Sequence, residues 1–158
     1  MREHTVLRIV SQLVIAPMLL YALYVQFHGE YSPGGGFQAG VILATAIILY
    51  GLIFGVEAAR AAVTPTLLRI GAAGGLLIYG GTGVATILLG GNFLDYDRLF
   101  AHGGQHYGLI IIELGVGITV ASVMIAIFYV FAGRGRQDDP DNDEDHGRAD
   151  DYDADDVS

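Results

Sequence analysis

Four apolar runs decide what this chain can fold into. They lie near residues 7–27, 36–56, 67–90 and 107–132, and each reaches the roughly 20 residues that a helix needs to cross a bilayer core of about 30 Å. The chain has 158 residues, 53% of them hydrophobic, so little remains for a water-soluble domain once four spans are set aside. The expected fold is all-α: an integral membrane protein with four transmembrane helices in a single domain over residues 1–136.

The charges are arranged around those spans. Residues 1–136 carry seven arginines against six acids, whereas residues 137–158 carry eleven acids against one arginine. The acidity therefore belongs to a C-terminal tail, 137–158, which lacks apolar periodicity and is expected to be disordered. Placing both termini in the cytoplasm puts Arg2, Arg8, Arg60, Arg69, Arg134, Arg136 and Arg148 inside and leaves Arg98 outside, as the positive-inside tendency requires. A signal peptide is the competing reading of the first run. The bulky stretch Leu23-Tyr24-Val25-Gln26 lacks the small residues of a cleavage site, so the run is read as a membrane helix, with a kink expected at Pro17.

The first two spans are joined by His28-Gly-Glu-Tyr-Ser-Pro-Gly-Gly-Gly-Phe-Gln-Ala-Gly40, which holds the only three consecutive glycines in the chain. Glycine reaches backbone angles that other residues avoid, and Pro33 disfavours helix at Ser32. A plain membrane hairpin needs less than this, so the stretch marks a place where another surface approaches the backbone closely. Gly36/Gly40 and Gly51/Gly55 have the spacing that lets membrane helices pack closely. The third span is richer still, with Gly71, Gly74, Gly75, Gly80, Gly81, Gly83 and Gly90, more small surface than one small protein can use internally. Neighbouring chains are expected there.

Few residues could carry chemistry. Glu113 is the one carboxylate well inside a predicted span, about one turn from its outer end. Charges in membranes usually face protein or water and often mark ion or proton paths; the competing reading is an interfacial acid or a helix–helix contact. His28 ends the first span beside Glu30, and histidine titrates near neutral pH, so it could relay protons or simply hold the helix end. Gln38 and Phe37 read as packing groups. His102 and His106 have the spacing of a helical metal pair, but Gly103 and Gly104 interrupt them and no third ligand is evident, so no metal site is expected. There are no cysteines, and nothing basic is clustered for nucleic acid. No catalytic triad, phosphate loop or haem ligand pair is present, so neither an enzyme nor a cofactor is expected.

Phe27-His28-Gly29 followed by Ser32-Pro-Gly-Gly-Gly-Phe-Gln-Ala-Gly40 resembles the signature of the MnhB/MrpB family, the B subunits of multisubunit Mrp-type sodium/proton antiporters. Gly108-Leu-Ile-Ile-Ile-Glu113-Leu-Gly-Val-Gly-Ile-Thr-Val120 is similar to the family's second segment. The resemblance covers roughly residues 4–132 and leaves out the acidic tail. It implies a small multi-pass subunit of a plasma-membrane complex that exchanges Na⁺ for H⁺, driven by the proton gradient, with other membrane subunits as partners. By motif position it singles out Glu113 and His28 for cation or proton handling. Ser32, Pro33, Gly34, Gly35, Gly36, Phe37 and Gln38 would shape and pack the turn. Two rival readings are a purely structural subunit of that complex and the equivalent subunit of a membrane-bound hydrogenase or oxidoreductase.

Overall fold

A computed structural model of the chain describes residues 2–29, 34–92, 94 and 104–134, with the backbone alone for 2–5, 104–105 and 134. The tail beyond Arg134, with its expected disorder, lies outside the described residues. Five helices follow one another: α1 (Arg2–Phe27), α2 (Gly36–Phe54), α3 (Val56–Ala62), α4 (Pro65–Leu88) and α5 (Gly104–Arg134). All but α3 are long and apolar enough to cross a membrane. Helices suit that solvent because each satisfies its own backbone hydrogen bonds where no water can.

Local sequence explains the breaks. The second apolar run divides at Gly55, whose φ of +97° is open to glycine and strained for other residues. The short α3 that follows leads into α4. Thr64 then caps α4, its hydroxyl accepting from the Leu67 N–H at 3.3 Å. Pro65 occupies the first helical position, where its missing N–H costs nothing. Such a cap contributes about 1 kcal/mol. The helix α1 continues through Pro17 as one element.

The helix α5 is the central post, flanked by α2 and α4, while α1 lies against α2. Gly36 faces Glu113, Gly40 faces Gly117 and Gly51 faces Phe128. That offset stays constant over about four turns, the register of two parallel helices. Against α4 the order reverses: Gly71 meets Ser122, and Gly75 meets Thr119 and Gly115, so these two run antiparallel. Both seams are built from small residues, which let backbones approach where lipid offers no hydrophobic drive between helices. The core is correspondingly small: Ala44, Ala59, Leu68, Ile125 and Tyr129 cluster at its centre. Outside it, Leu13, Leu20, Leu52, Leu76, Leu77 and Leu88 are each more than 60% exposed. Rings of exposed leucine belong against lipid or other apolar chains.

At one end of the bundle α3 is tied to α5. Arg60 Nη2 donates to the Tyr129 carbonyl at 3.1 Å, its guanidinium lies 5.6 Å from the Tyr129 ring centre, and Glu57 Oε1 is 3.7 Å from Arg60 Nη1. The Tyr129 hydroxyl in turn donates to the Val63 carbonyl at 3.1 Å. The glycine turn lies at the opposite end.

Candidate functional site

The glycine turn and Glu113, 77 residues of chain apart from Gly36, meet in space. A β-carbon built on Gly29 would lie 2.8 Å from Glu113 Cδ, and one on Gly35 would lie 2.9 Å from Glu113 Oε1. The carboxyl group therefore sits against the main chain of Gly29 and Gly35. At Gly36 the approach is closer still: a β-carbon would lie 2.9 Å from Glu113 Cα and overlap the Glu113 carbonyl. Side-chain obstacles can move aside, but this one is backbone, so only glycine fits. The consecutive glycines answer to the glutamate on the facing helix.

The pocket has an electrostatic direction. The helix α2 begins at Gly36 with Gly35 as its N-cap, and no side chain of its own caps it. The first N–H groups of a helix lack intrahelical partners, and the helix macrodipole places partial positive charge there. The Glu113 carboxyl lies against that terminus. The arginine side chains Arg8, Arg60 and Arg69 lie at the far end of the bundle.

Depth differs from the expectation of about one turn. The helix α5 starts at Gly104, so Glu113 lies nine residues in, about 14 Å along the axis. One glycine costs a helix only about 1 kcal/mol, and Gly104 joins the helix instead of the loop. Gly29, Gly35 and Gly36 meet α5 at this level, so these parts of the turn are recessed below the start of α5.

The other predicted residues are distributed unevenly. His28 is exposed; its Nδ1 lies 3.2 Å from the Tyr24 carbonyl, and its ring stacks on Tyr24 at 4.2 Å between centres. Both of these partners are on its own helix. Gln38 folds back over the turn, its Oε1 2.9 Å from a β-carbon position on Gly34. Phe37 is 63% exposed, so any anchoring by its ring is against a surface outside this chain. Ser32 and Pro33 lie outside the described residues, as does His102. His106 meets Tyr107 edge-on at 5.5 Å.

One residue was overlooked by sequence reasoning. Gln26 in α1 is 7% exposed, and its Nε2 has no hydrogen-bond partner among the described residues. Its Oε1 lies 2.6 Å from a β-carbon position on Gly117, a point 3.0 Å from the Gly36 carbonyl. Gln26 thus enters the α2–α5 crossing one turn deeper than Glu113. The available signal was an amide in the last turn of an apolar helix, where leaving a donor unpaired is costly.

Comparison with known proteins gives this geometry a family. Residues 6–126 match the family model described as a domain related to the MnhB subunit of Na⁺/H⁺ antiporters. A protein of Staphylococcus haemolyticus named "Putative antiporter subunit mnhB2" is 31% identical over 139 residues, covering 84% of this chain and 98% of the relative. A protein of the same name from Staphylococcus aureus (strain Newman) is 33% identical over 139 residues, with the same coverage.

Proposed function

The chain belongs to the family of domains related to the MnhB subunit of Na⁺/H⁺ antiporters, and from that premise we propose that its task in the exchange is to present Glu113 as a reversible proton or cation site. The protein is a small multi-pass plasma-membrane subunit of a Na⁺/H⁺ antiporter complex. Its partners are the other membrane subunits of that complex. The observation that carries the proposal is the Glu113 carboxyl held between Gly29, Gly35 and the start of α2. A carboxyl deep in an apolar helix is costly to keep charged, and the α2 terminus offsets part of that cost. A group balanced in this way can accept and release a proton or a cation.

Within this reading His28 stands at the entrance to the turn and hands protons between bulk water and the pocket. Gly34, Gly35 and Gly36, with Ser32 and Pro33, shape the pocket; Gln38 and Phe37 brace its outer side. Both termini face the cytoplasm, following the arginine distribution, so the pocket opens to the outside. The relatives are named as antiporter subunits and lend nothing to a redox-coupled complex. Few polar groups cross the bilayer within this chain, which fits a component supporting a pathway shared with larger subunits.

The test is Na⁺/H⁺ antiport by the whole complex in membrane vesicles, with Glu113→Gln and His28→Ala, alongside co-purification of the subunits. Glu113→Gln is expected to lower antiport at least about tenfold, the scale of one lost charge interaction of ~1.4 kcal/mol, with assembly intact. Wild-type antiport in both variants would remove the handling role. Lost assembly in Glu113→Gln would instead favour the purely structural subunit.

A further inference from the structure

We propose that the acidic segment 137–158 docks onto an arginine-lined cleft at the Arg60 end of this same chain, as a charge-driven latch on the face opposite the Glu113 pocket. The cleft measures about 390 Å³ and is lined in part by Arg60, Pro65, Leu68, Arg69, Tyr129 and Gly133. Arg69 is exposed and makes no hydrogen bond or ion pair among the described residues. Arg60 has its Nη groups engaged by Tyr129 and Glu57, and its Nε is buried with no partner among the described residues. Arg69 therefore leaves the cleft a positive charge that no described side chain pairs.

The occupant is chosen by proximity and sign. Gly133 lines the cleft, and α5 ends one residue later at Arg134. The run Asp138-Asp-Pro-Asp-Asn-Asp-Glu-Asp145 follows within a few residues. Seven residues of chain, from Arg134 to Asp141, reach at most about 25 Å, ample for a cleft that α5 itself borders. A tether this short holds the segment at roughly millimolar effective concentration, so weak carboxylate–arginine pairs are populated that would not form between separate molecules. The segment carries eleven acids against one arginine, which also repels it from an anionic lipid surface. The family match stops at residue 126 and leaves this part of the chain out. The latch is thus a property of this chain and does not depend on the role given to Glu113.

The absence of cysteine makes the test direct. In the whole complex, Thr66→Cys, one turn from Arg69, is paired with Asp141→Cys, and the yield of a short bis-maleimide cross-link is measured. Yield is expected to fall about fivefold between ~0.02 M and ~0.5 M salt, as the screening length contracts to a few ångströms. A similar fall is expected in Arg69→Glu, with recovery in Arg69→Lys. Replacing the acids of 138–145 by their amides, outside the cross-linked position, leaves the helices untouched and should lower the yield equally. Yields within twofold across all of these would mean that tethering alone brings the segment near, and would overturn the proposal. Loss of the cross-link when anionic lipid is added to zwitterionic nanodiscs would assign the arginines to lipid phosphates and overturn it as well.

Discussion

The two ends of α5 handle charge in opposite ways. At the Arg60 end, a cation that never loses its proton is fixed by side chains and carbonyls: Tyr129, Glu57 and, through the tyrosine hydroxyl, Val63. At the Glu113 end, a group that can gain and lose a proton is enclosed by the backbone of glycines. The first arrangement fastens helices, because several directed contacts must break together. The second brings the main chain of glycines against an acid. The two ends therefore differ in what stands opposite the charge.

Substitutions can break this contrast in graded ways. The largest effect belongs to Gly36→Val, whose side chain would enter the Glu113 main chain. We expect the subunit to be lost from the complex altogether, read by co-purification; retention at wild-type level would show that the close approach is not required. Gly29→Ala comes next. Its obstacle is the Glu113 carboxyl itself, which must swing away, so antiport should drop severalfold while assembly persists. At the other end Tyr129→Phe deletes one hydrogen bond to Val63. A loss of about 1 kcal/mol in thermal unfolding of the solubilised protein is expected, with antiport per assembled complex unchanged. The smallest effect is Gly81→Ala. A β-carbon there meets nothing within 4 Å among the described residues, so α4 should gain up to about 1 kcal/mol of helix preference, seen as no loss of stability in the isolated subunit.

The same contrast explains what could be read from the sequence. Four spans were legible because length and apolarity alone determine them, and Glu113 stood out as an acid within one of them. The triple glycine announced a close approach but not its object. Nothing local to residues 34–36 says that the facing surface is Glu113, because the register between parallel helices is set by side-chain fit along the whole seam. Gln26 was missed for a related reason: its burial comes from Gly117 on α5, which leaves no mark on α1. The division of the second run at Gly55 required a positive φ that an apolar pattern does not reveal. The glycines of α4 were correctly expected to exceed internal need, since Gly74, Gly80 and Gly81 face open space.

The recessed position of the turn has an electrical consequence. The apolar span of α5 runs from His106 to Gly133, and Glu113 lies about a quarter of the way along it by helical rise. An ion reaching that carboxyl from the nearer side crosses a matching share of the membrane voltage, unless water fills the recess and carries the full potential down to the glycines. A full unit charge exchanges about 2.3 kcal/mol per 100 mV, so a quarter of the drop is worth roughly 0.6 kcal/mol. Occupancy of Glu113 would then answer to voltage as well as to pH, and the depth of one turn would set how strongly the two are exchanged.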